Sequence, residues 1–400
     1  MGGNLQKWQR SLIRNALGEY RQSLENYYIG NKRLVEVSNG LKAFSLLSPP
    51  MGSNAARRRI RCIAENIVDR KTVVSDDGTA FWGSRTPHFI TVAVTYRCQC
   101  NCAHCSAHTY RQRTLQRGDG LTPAEIKDAI RETVNDLGTT CVILTGGEPL
   151  LEEFTFDLVA SVDPARSVCT VFTNGEYLTD ETVRRLKKSG LFGVFLSLDF
   201  TSPDKHDQNR KRPGLYQKAV EGLKRCQDAG ILTGISTYIT HEKLSNGELD
   251  SMMDLARELD VLEVFLFDVI ATGRLDRQRG SMLKDEEVEQ VKAFRQRYNE
   301  KPDYPRIIHQ TMFTSIAYPC AAEGCPAGVA QIHLRANGDV APCDFTPFSF
   351  GNIRQRSLSD IWRDMVESPV FSQGSPRCRL ADPAYLPSLN ELAADSAEAY

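Results

Sequence analysis

Between residues 89 and 268 the chain alternates short apolar, β-branched runs with amphipathic segments of helical period, and this alternation restricts the fold more than any other feature. The runs fall at 90–96, 141–145, 168–173, 193–198, 233–239 and 262–268, and helical segments lie between them near 122–137, 151–162, 179–189, 215–229 and 246–259. Strands of this kind, each followed by a helix, are buried on both faces and pair as a parallel βαβ sheet. Six strands in about 180 residues are too few for a closed eight-stranded barrel. An open partial barrel and a doubly wound sheet both fit. In either one, ligands gather beyond the carboxyl ends of the strands.

On each side of this region the pattern changes. Residues 1–70 read as helical, with Trp8, Leu12, Ile13, Leu17, Tyr20 and Leu24 at roughly helical spacing, a break at Ser48-Pro49-Pro50 and an arginine run from Arg57 to Arg61. Residues 73–88 are rich in turn formers. A helical stretch at 284–299 opens a third region with few long helices and many Gly, Pro and Cys, and the tail after 381 reads as frayed. The expected organisation is an N-terminal helical region over 1–88, an α/β unit over 89–275 and a small cysteine-rich α+β domain over 276–400. Lys+Arg number 49 and Asp+Glu 50, a balance that argues against a general nucleic-acid binder. No secretion signal or membrane span is evident, so a cytoplasmic setting is expected and the 12 cysteines read as metal ligands, redox groups or buried thiols. An amphipathic N-terminal helix with its arginines can lie on a membrane; a helical cap on the α/β unit is the plainer reading.

Directly after the first strand come Cys98, Cys102 and Cys105, a C-x3-C-x2-C loop that also holds Cys100 and His104. Such a loop can turn three thiolates onto one centre. Iron–sulfur clusters usually take four thiolates, so three leave one iron open to a small molecule. A zinc site would need a fourth ligand, which His104 or Cys100 could supply. The second strand ends in Thr145-Gly146-Gly147-Glu148-Pro149, where paired glycines let the backbone approach a ligand closely. Alone, that motif is an ordinary βα turn.

Taken together, these residues resemble the radical S-adenosylmethionine (SAM) superfamily. The match continues through Thr173-Asn174-Gly175, Ser197-Leu198-Asp199, His206 to Arg210, Gly214 and Gly273-Arg274. The resemblance implies a partial (β/α)6 TIM-like barrel and a [4Fe–4S] cluster on Cys98, Cys102 and Cys105. It also implies S-adenosyl-L-methionine bound to the open iron, and a flavodoxin- or ferredoxin-type electron donor. By the same resemblance Gly146, Gly147 and Glu148 would hold the SAM ammonium group, Ser197 and Asp199 would lie near ribose or substrate, and Arg210 would meet the SAM carboxylate. His104 would pack on adenine, and Cys100 is read as a bystander.

A second set of cysteines follows: Cys320, Cys325, Cys343 and Cys378. Asn337-Gly338-Asp339 signals a hairpin that folds 331–336 back on 340–343 and carries Cys343 toward Cys325. Four thiolates can ligate a whole [4Fe–4S] cluster or a zinc ion. The spacing from Cys325 through Gly338 to Cys343, with Gly351-Asn352-Ile353 and Leu358 to Trp362, resembles the SPASM/Twitch extension of radical SAM enzymes. With only four cysteines in the region, the resemblance implies the shorter form with one auxiliary cluster. Such an enzyme abstracts hydrogen from an organic substrate, and the auxiliary cluster accepts an electron. A small or lipid-linked molecule and a modified peptide are the two substrate classes that fit; a zinc-bearing scaffold is the alternative outside enzymes.

Overall fold

The computed structural model describes residues 32–37, 40–68, 72–74, 80–82, 86–310, 324–371, 375 and 377–397. Trp8 to Leu24 and Cys320 lie outside these residues.

In chain order the first elements are strands β1 (Val35–Glu36) and β2 (Lys42–Ala43), helix α1 (Asn54–Val68), and strands β3 (Thr72–Val74) and β4 (Ala80–Trp82). The α/β region follows: β5 (Phe89–Thr95), α2 (His108–Arg117), α3 (Pro123–Asn135), β6 (Cys141–Gly146), α4 (Thr155–Ala160), β7 (Val168–Thr173), α5 (Asp180–Lys188), β8 (Gly193–Ser197), α6 (Pro203–Arg210), α7 (Leu215–Asp228), β9 (Leu232–Ile239), α8 (His241–Ser245), α9 (Glu248–Glu258) and β10 (Glu263–Asp268). The last elements are α10 (Asp285–Asn299), β11 (Arg306–His309), β12 (Gln331–Leu334), β13 (Asp339–Ala341), β14 (Gly351–Asn352), α11 (Leu358–Glu367) and α12 (Leu386–Ala397).

All six expected strands form, and they pair in parallel in sequence order from β5 to β10. The sheet does not stop there. Strand β11 adds in parallel beside β10, and β12 adds in parallel beside β5, with Ile332 opposite Ile90. β13 and β14 continue antiparallel from β12, giving ten strands with β11 and β14 at the edges. The sheet is therefore an open barrel of eight parallel strands, and the C-terminal region supplies two of them. The expected hairpin is present: Gly338 has φ +94°, in the left-handed region that favours glycine, and its N–H donates to Arg335 O at 2.9 Å.

Residues 32–50 differ from the helical reading. They form the β1–β2 hairpin and a loop that plugs the amino end of the barrel. Leu46, fully buried, packs with Phe195, Phe265, Ile143 and Leu232. Its N–H donates to Glu263 Oε1 at 2.6 Å, and its carbonyl accepts from Thr170 Oγ1 at 2.8 Å. A Cβ on Gly193 would come within 2.9 Å of the Leu46 side chain, so the plug sits tight against β8. Long-range packing overrides local period here. Lys32 anchors the segment by donating to the carbonyls of Tyr298 and Tyr304 (2.7 and 2.9 Å), at the carboxyl end of α10 where a cation is favoured. The helical stretch after the arginine run is present as α1. The tail is not frayed throughout: α12 buries Leu389 against Phe348 and Phe371. Among the described residues no helix is long and apolar enough to cross a membrane.

Candidate active site

With the amino end plugged, the barrel opens at the carboxyl ends of its strands, where a cavity of about 240 Å³ lies. Cys98, Cys102 and Cys105 all line it, with Gly146, Gly147, Ser197, Asp199 and Arg210. The structure thus gathers residues from the ends of β5, β6 and β8 and of helix α6 that lie up to 112 positions apart in the chain.

The cysteine loop is held from three sides. Arg111 on α2 donates to the carbonyls of Cys100 (2.9 Å) and Cys98 (2.5 Å). The N–H groups of Asn101 and Ala103 donate to the carbonyls of Arg210 and Asn209 at the end of α6. Arg274 N–H donates to Cys105 O at 3.0 Å, and a Cβ on Gly273 would meet that carbonyl at 2.4 Å. Cys100 is buried and its thiol hydrogen-bonds to the sulfurs of Cys98 and Cys102. Those bonds lower both thiols, Cys102 to about 7, while burial pushes Cys105 up to about 11.

Gly146 and Gly147 are required by close packing. A Cβ at either would fall 2.3 Å from Thr95 O or 2.2 Å from Arg97 O. Their backbone faces the cavity. Glu148 does not: it is fully buried and accepts from Leu150 N–H, Thr173 Oγ1 and Asn174 N–H at 3.1, 2.8 and 2.9 Å. Burial pushes its carboxyl up to about 7 against those three bonds. Its position is that of a brace between the ends of β6 and β7, and of the three residues only the two glycines line the cavity.

Asp199 and Arg210 meet each other. The guanidinium donates through Nε and Nη2 to the two carboxylate oxygens, both at 2.8 Å, and Asn209 Nδ2 adds a third bond at 2.8 Å. Burial pushes the Asp199 carboxyl up, but the Arg210 guanidinium, with the Lys243 ammonium, outweighs it and holds the group well below the usual carboxylate range. Arg210 is thus a partner of Asp199, with its remaining nitrogen not engaged by that carboxylate. His104 stacks on Tyr238 with ring centroids 3.9 Å apart, and burial lowers its imidazole to about 4, so it is neutral near pH 7. Beneath that ring lies the buried Lys243 ammonium, 3.9 Å from the Tyr238 centroid. Ser197 accepts from Ser236 Oγ at 3.4 Å.

A donor set of three thiols on one cavity fits a cluster with one open iron. A polar ligand beside it fits too: Asn174 lines the cavity and its buried Nδ2 has no hydrogen-bond partner. Among the described residues no three His, Cys, Asp or Glu side chains converge on a single-ion position.

Of the second cysteine set, Cys325, Cys343 and Cys378 come together. Cys325 and Cys378 hydrogen-bond through their sulfurs, which lowers Cys325 to about 6; burial pushes Cys343, whose sulfur is 3.1 Å from Thr346 Oγ1, up to about 12. Next to Cys343, Asp344 Oδ1 lies 2.5 Å from His333 Nδ1 and accepts from Thr91 Oγ1 at 2.7 Å. His333, Asp344 and Phe345 line the same cavity as the first three cysteines. Reading the sequence gave no role to Arg111, Asn174, Tyr238 or the His333–Asp344 pair. The one local signal was the position of Asp344 beside a cysteine.

Residues 92–256 match the family model described as the radical SAM superfamily, and residues 325–380 match the model for SPASM, an iron–sulfur cluster-binding domain. The chain is similar to an AdoMet-dependent heme synthase of Methanosarcina barkeri (27% identity, 70% of this chain, 83% of the relative). It is also similar to one of Nitratidesulfovibrio vulgaris (25%, 70% and 80%). Streptococcus suis SuiB, solved with its precursor peptide SuiA, shares the fold, with a TM-score of 0.58 over 79% of this chain and 70% of that one at 15% identity. The chain belongs to the radical SAM superfamily, an enzyme family with a SAM-binding [4Fe–4S] cluster, and carries a SPASM-type iron–sulfur domain at its carboxyl end.

Proposed function

We propose that this enzyme oxidises or rearranges a small organic molecule, free or lipid-linked, by hydrogen abstraction at the barrel mouth. One observation carries the reading: a single cavity is walled on one side by Cys98, Cys102 and Cys105 and on another by the residues that adjoin Cys343. Cys320, Cys325, Cys343 and Cys378 would hold one auxiliary [4Fe–4S] cluster. A cluster on Cys98, Cys102 and Cys105 with SAM would supply radical chemistry for hydrogen abstraction, and the auxiliary cluster would serve as electron acceptor.

The protein's own groups do the rest. Gly146 and Gly147 offer backbone to the SAM ammonium group, Ser197 and Asp199 face ribose or substrate, and Arg210 adds a fixed positive charge for the carboxylate. The Leu46 plug keeps water from the amino end. His333, oriented by Asp344 and Thr91, is placed to take the proton that leaves an oxidised substrate. The similarity to heme synthases supports a small molecule; the fold shared with SuiB makes a peptide substrate the second reading.

A Cys98→Ala, Cys102→Ala, Cys105→Ala variant tests the assignment. It should lose 5′-deoxyadenosine formation and keep the iron of one cluster. Unchanged turnover, or loss of all iron from a folded chain, would contradict it. Zinc without iron and sulfide after anaerobic purification would favour the scaffold.

A further inference from the structure

Inside the barrel, between the mouth and the Leu46 plug, lies a second and smaller chamber of about 40 Å³. It shares Thr145, Phe172, Phe267 and Asp344 with the large cavity, so the two adjoin along that wall. There the rings of Phe172 and Phe267 meet edge to face, with centroids 6.0 Å apart. The far wall is formed by Phe89, Ile143 and Phe265, which also pack in the Leu46 cluster. The chamber lies at the seam of the open sheet, where β11 and β12 do not pair with each other: Gln310 follows β11, and Gln331 begins β12.

One polar group in this mainly apolar wall is unsatisfied. Gln310 is 7% exposed, and its backbone N–H donates to Leu266 O at 3.0 Å. Its side-chain oxygen Oε1 is buried and has no hydrogen-bond partner among the described residues. A buried acceptor without a donor bears its desolvation cost unrepaid. Asp344 differs, because its Oδ1 is engaged by His333 and Thr91. The chamber therefore lacks one donor, and its phenylalanines favour an apolar occupant. At about 10–15 Å³ for each water-sized group, it has room for about three heavy atoms. That is too little for an aromatic ring. An aliphatic amine would bring a charge into an apolar wall, and an amide would bring a carbonyl needing a donor of its own. A hydroxyl on a short carbon arm meets both demands.

We infer that this inner chamber is a binding subsite for a hydroxyl-terminated arm of the substrate, about two carbons long, whose O–H donates to Gln310 Oε1. The inference rests on the reading that a small organic molecule reacts in the adjoining cavity, and it specifies that molecule's class. The arm enters beside Phe172 and Phe267, and the body of the molecule stays in the large cavity. Anchoring the arm fixes which carbon of the body stands toward Cys98, Cys102 and Cys105. Gln310 is a specificity-determining residue in this arrangement and takes no part in the chemistry.

The probes are 2-phenylethanol, whose arm has two carbons and a hydroxyl, and n-propylbenzene, in which a methyl replaces that hydroxyl. Each is titrated calorimetrically into the reconstituted full-length holoenzyme with SAM present, and into a Gln310→Leu variant treated the same way. 2-Phenylethanol should bind the variant about tenfold more weakly than the wild type, the loss expected for one hydrogen bond to a buried acceptor. n-Propylbenzene should bind both alike, or the variant more tightly. A change by the same factor for both probes would mean that Gln310 acts by shape alone and would overturn the hydroxyl site. Undiminished binding of 2-phenylethanol to the variant, or no binding of either probe to the wild type, would overturn it too. Gln310→Met, unbranched and of similar length, takes the place of the leucine variant if that chain does not fold. 5′-Deoxyadenosine formation with dithionite is measured on the same samples. If it proceeds in the wild type while the probes fail, the subsite falls and the proposed reaction stands. If the probes behave as expected and no 5′-deoxyadenosine forms, the proposed reaction falls and the chamber stands as a hydroxyl-binding site.

Discussion

Glu148 looks in sequence like a ligand and behaves in structure like a brace. Its two oxygens accept three bonds from the ends of β6 and β7. Glutamine has one oxygen, and its NH2 would face an N–H donor, so Glu148→Gln should cost about 1–3 kcal/mol. Denaturant unfolding of the apoprotein checks this, and a stability equal to wild type would show that the brace is dispensable. Gly147→Ala should be worse for SAM than for folding, because its Cβ would push on Arg97 O at 2.2 Å and shift the cysteine loop. The expected result is weakened SAM binding with iron content retained. At this scale the cysteine spacing was legible because ligand number and loop length are local properties. The aim of Glu148 was not, since its partners Thr173 and Asn174 lie 25 and 26 positions away. The pairing of Asp199 with Arg210 was hidden for another reason: neither the charges nor the helix between the two residues announces a bidentate contact.

At the scale of elements, the six central strands could be read because buried parallel strands declare themselves by composition. The plug and the strands β11 and β12 could not. The partners of Leu46 come from strands up to 219 positions distant, and β12 pairs with a strand more than 230 residues earlier. Leu46→Ala should therefore cost about 2–5 kcal/mol, the loss expected for a fully buried leucine with no room to collapse, and it should lower the melting temperature of the apoprotein. Glu263, which holds the Leu46 N–H, adds a pH dependence. Burial pushes its folded carboxyl up to about 7 from an ordinary value of 4.5. The folded state then binds more protons than the unfolded one between those values, so this group's contribution declines as pH rises through about 7. A Glu263→Gln variant should lose that decline, which unfolding free energies at pH 5.5 and 8 would reveal; parallel pH profiles would exclude the effect.

The whole molecule is arranged so that Asp344 and Phe345, next to Cys343 of the second cysteine set, reach the cavity lined by Cys98, Cys102 and Cys105, although the two sets belong to separate stretches of chain. The sheet makes this possible. β12 pairs with β5, the strand that leads into Cys98, and the β12–β13 hairpin brings Asp344, the neighbour of Cys343, to Thr91 of that same strand. Radical generation and electron acceptance should then separate by mutation. A Cys325→Ser, Cys343→Ser variant removes two of the four proposed auxiliary ligands without touching the cavity wall formed by Cys98, Cys102 and Cys105. Iron should fall by the amount of one cluster, about four atoms per chain, and 5′-deoxyadenosine formation with dithionite should persist, because its ligands are intact. Oxidised product should disappear, since the substrate radical has lost its acceptor. Circular dichroism and the retained cluster report whether the chain stayed folded. If 5′-deoxyadenosine formation collapses while both remain normal, the two sets are not independent, and the SPASM region would have to act on the SAM site through β12 and not on the substrate.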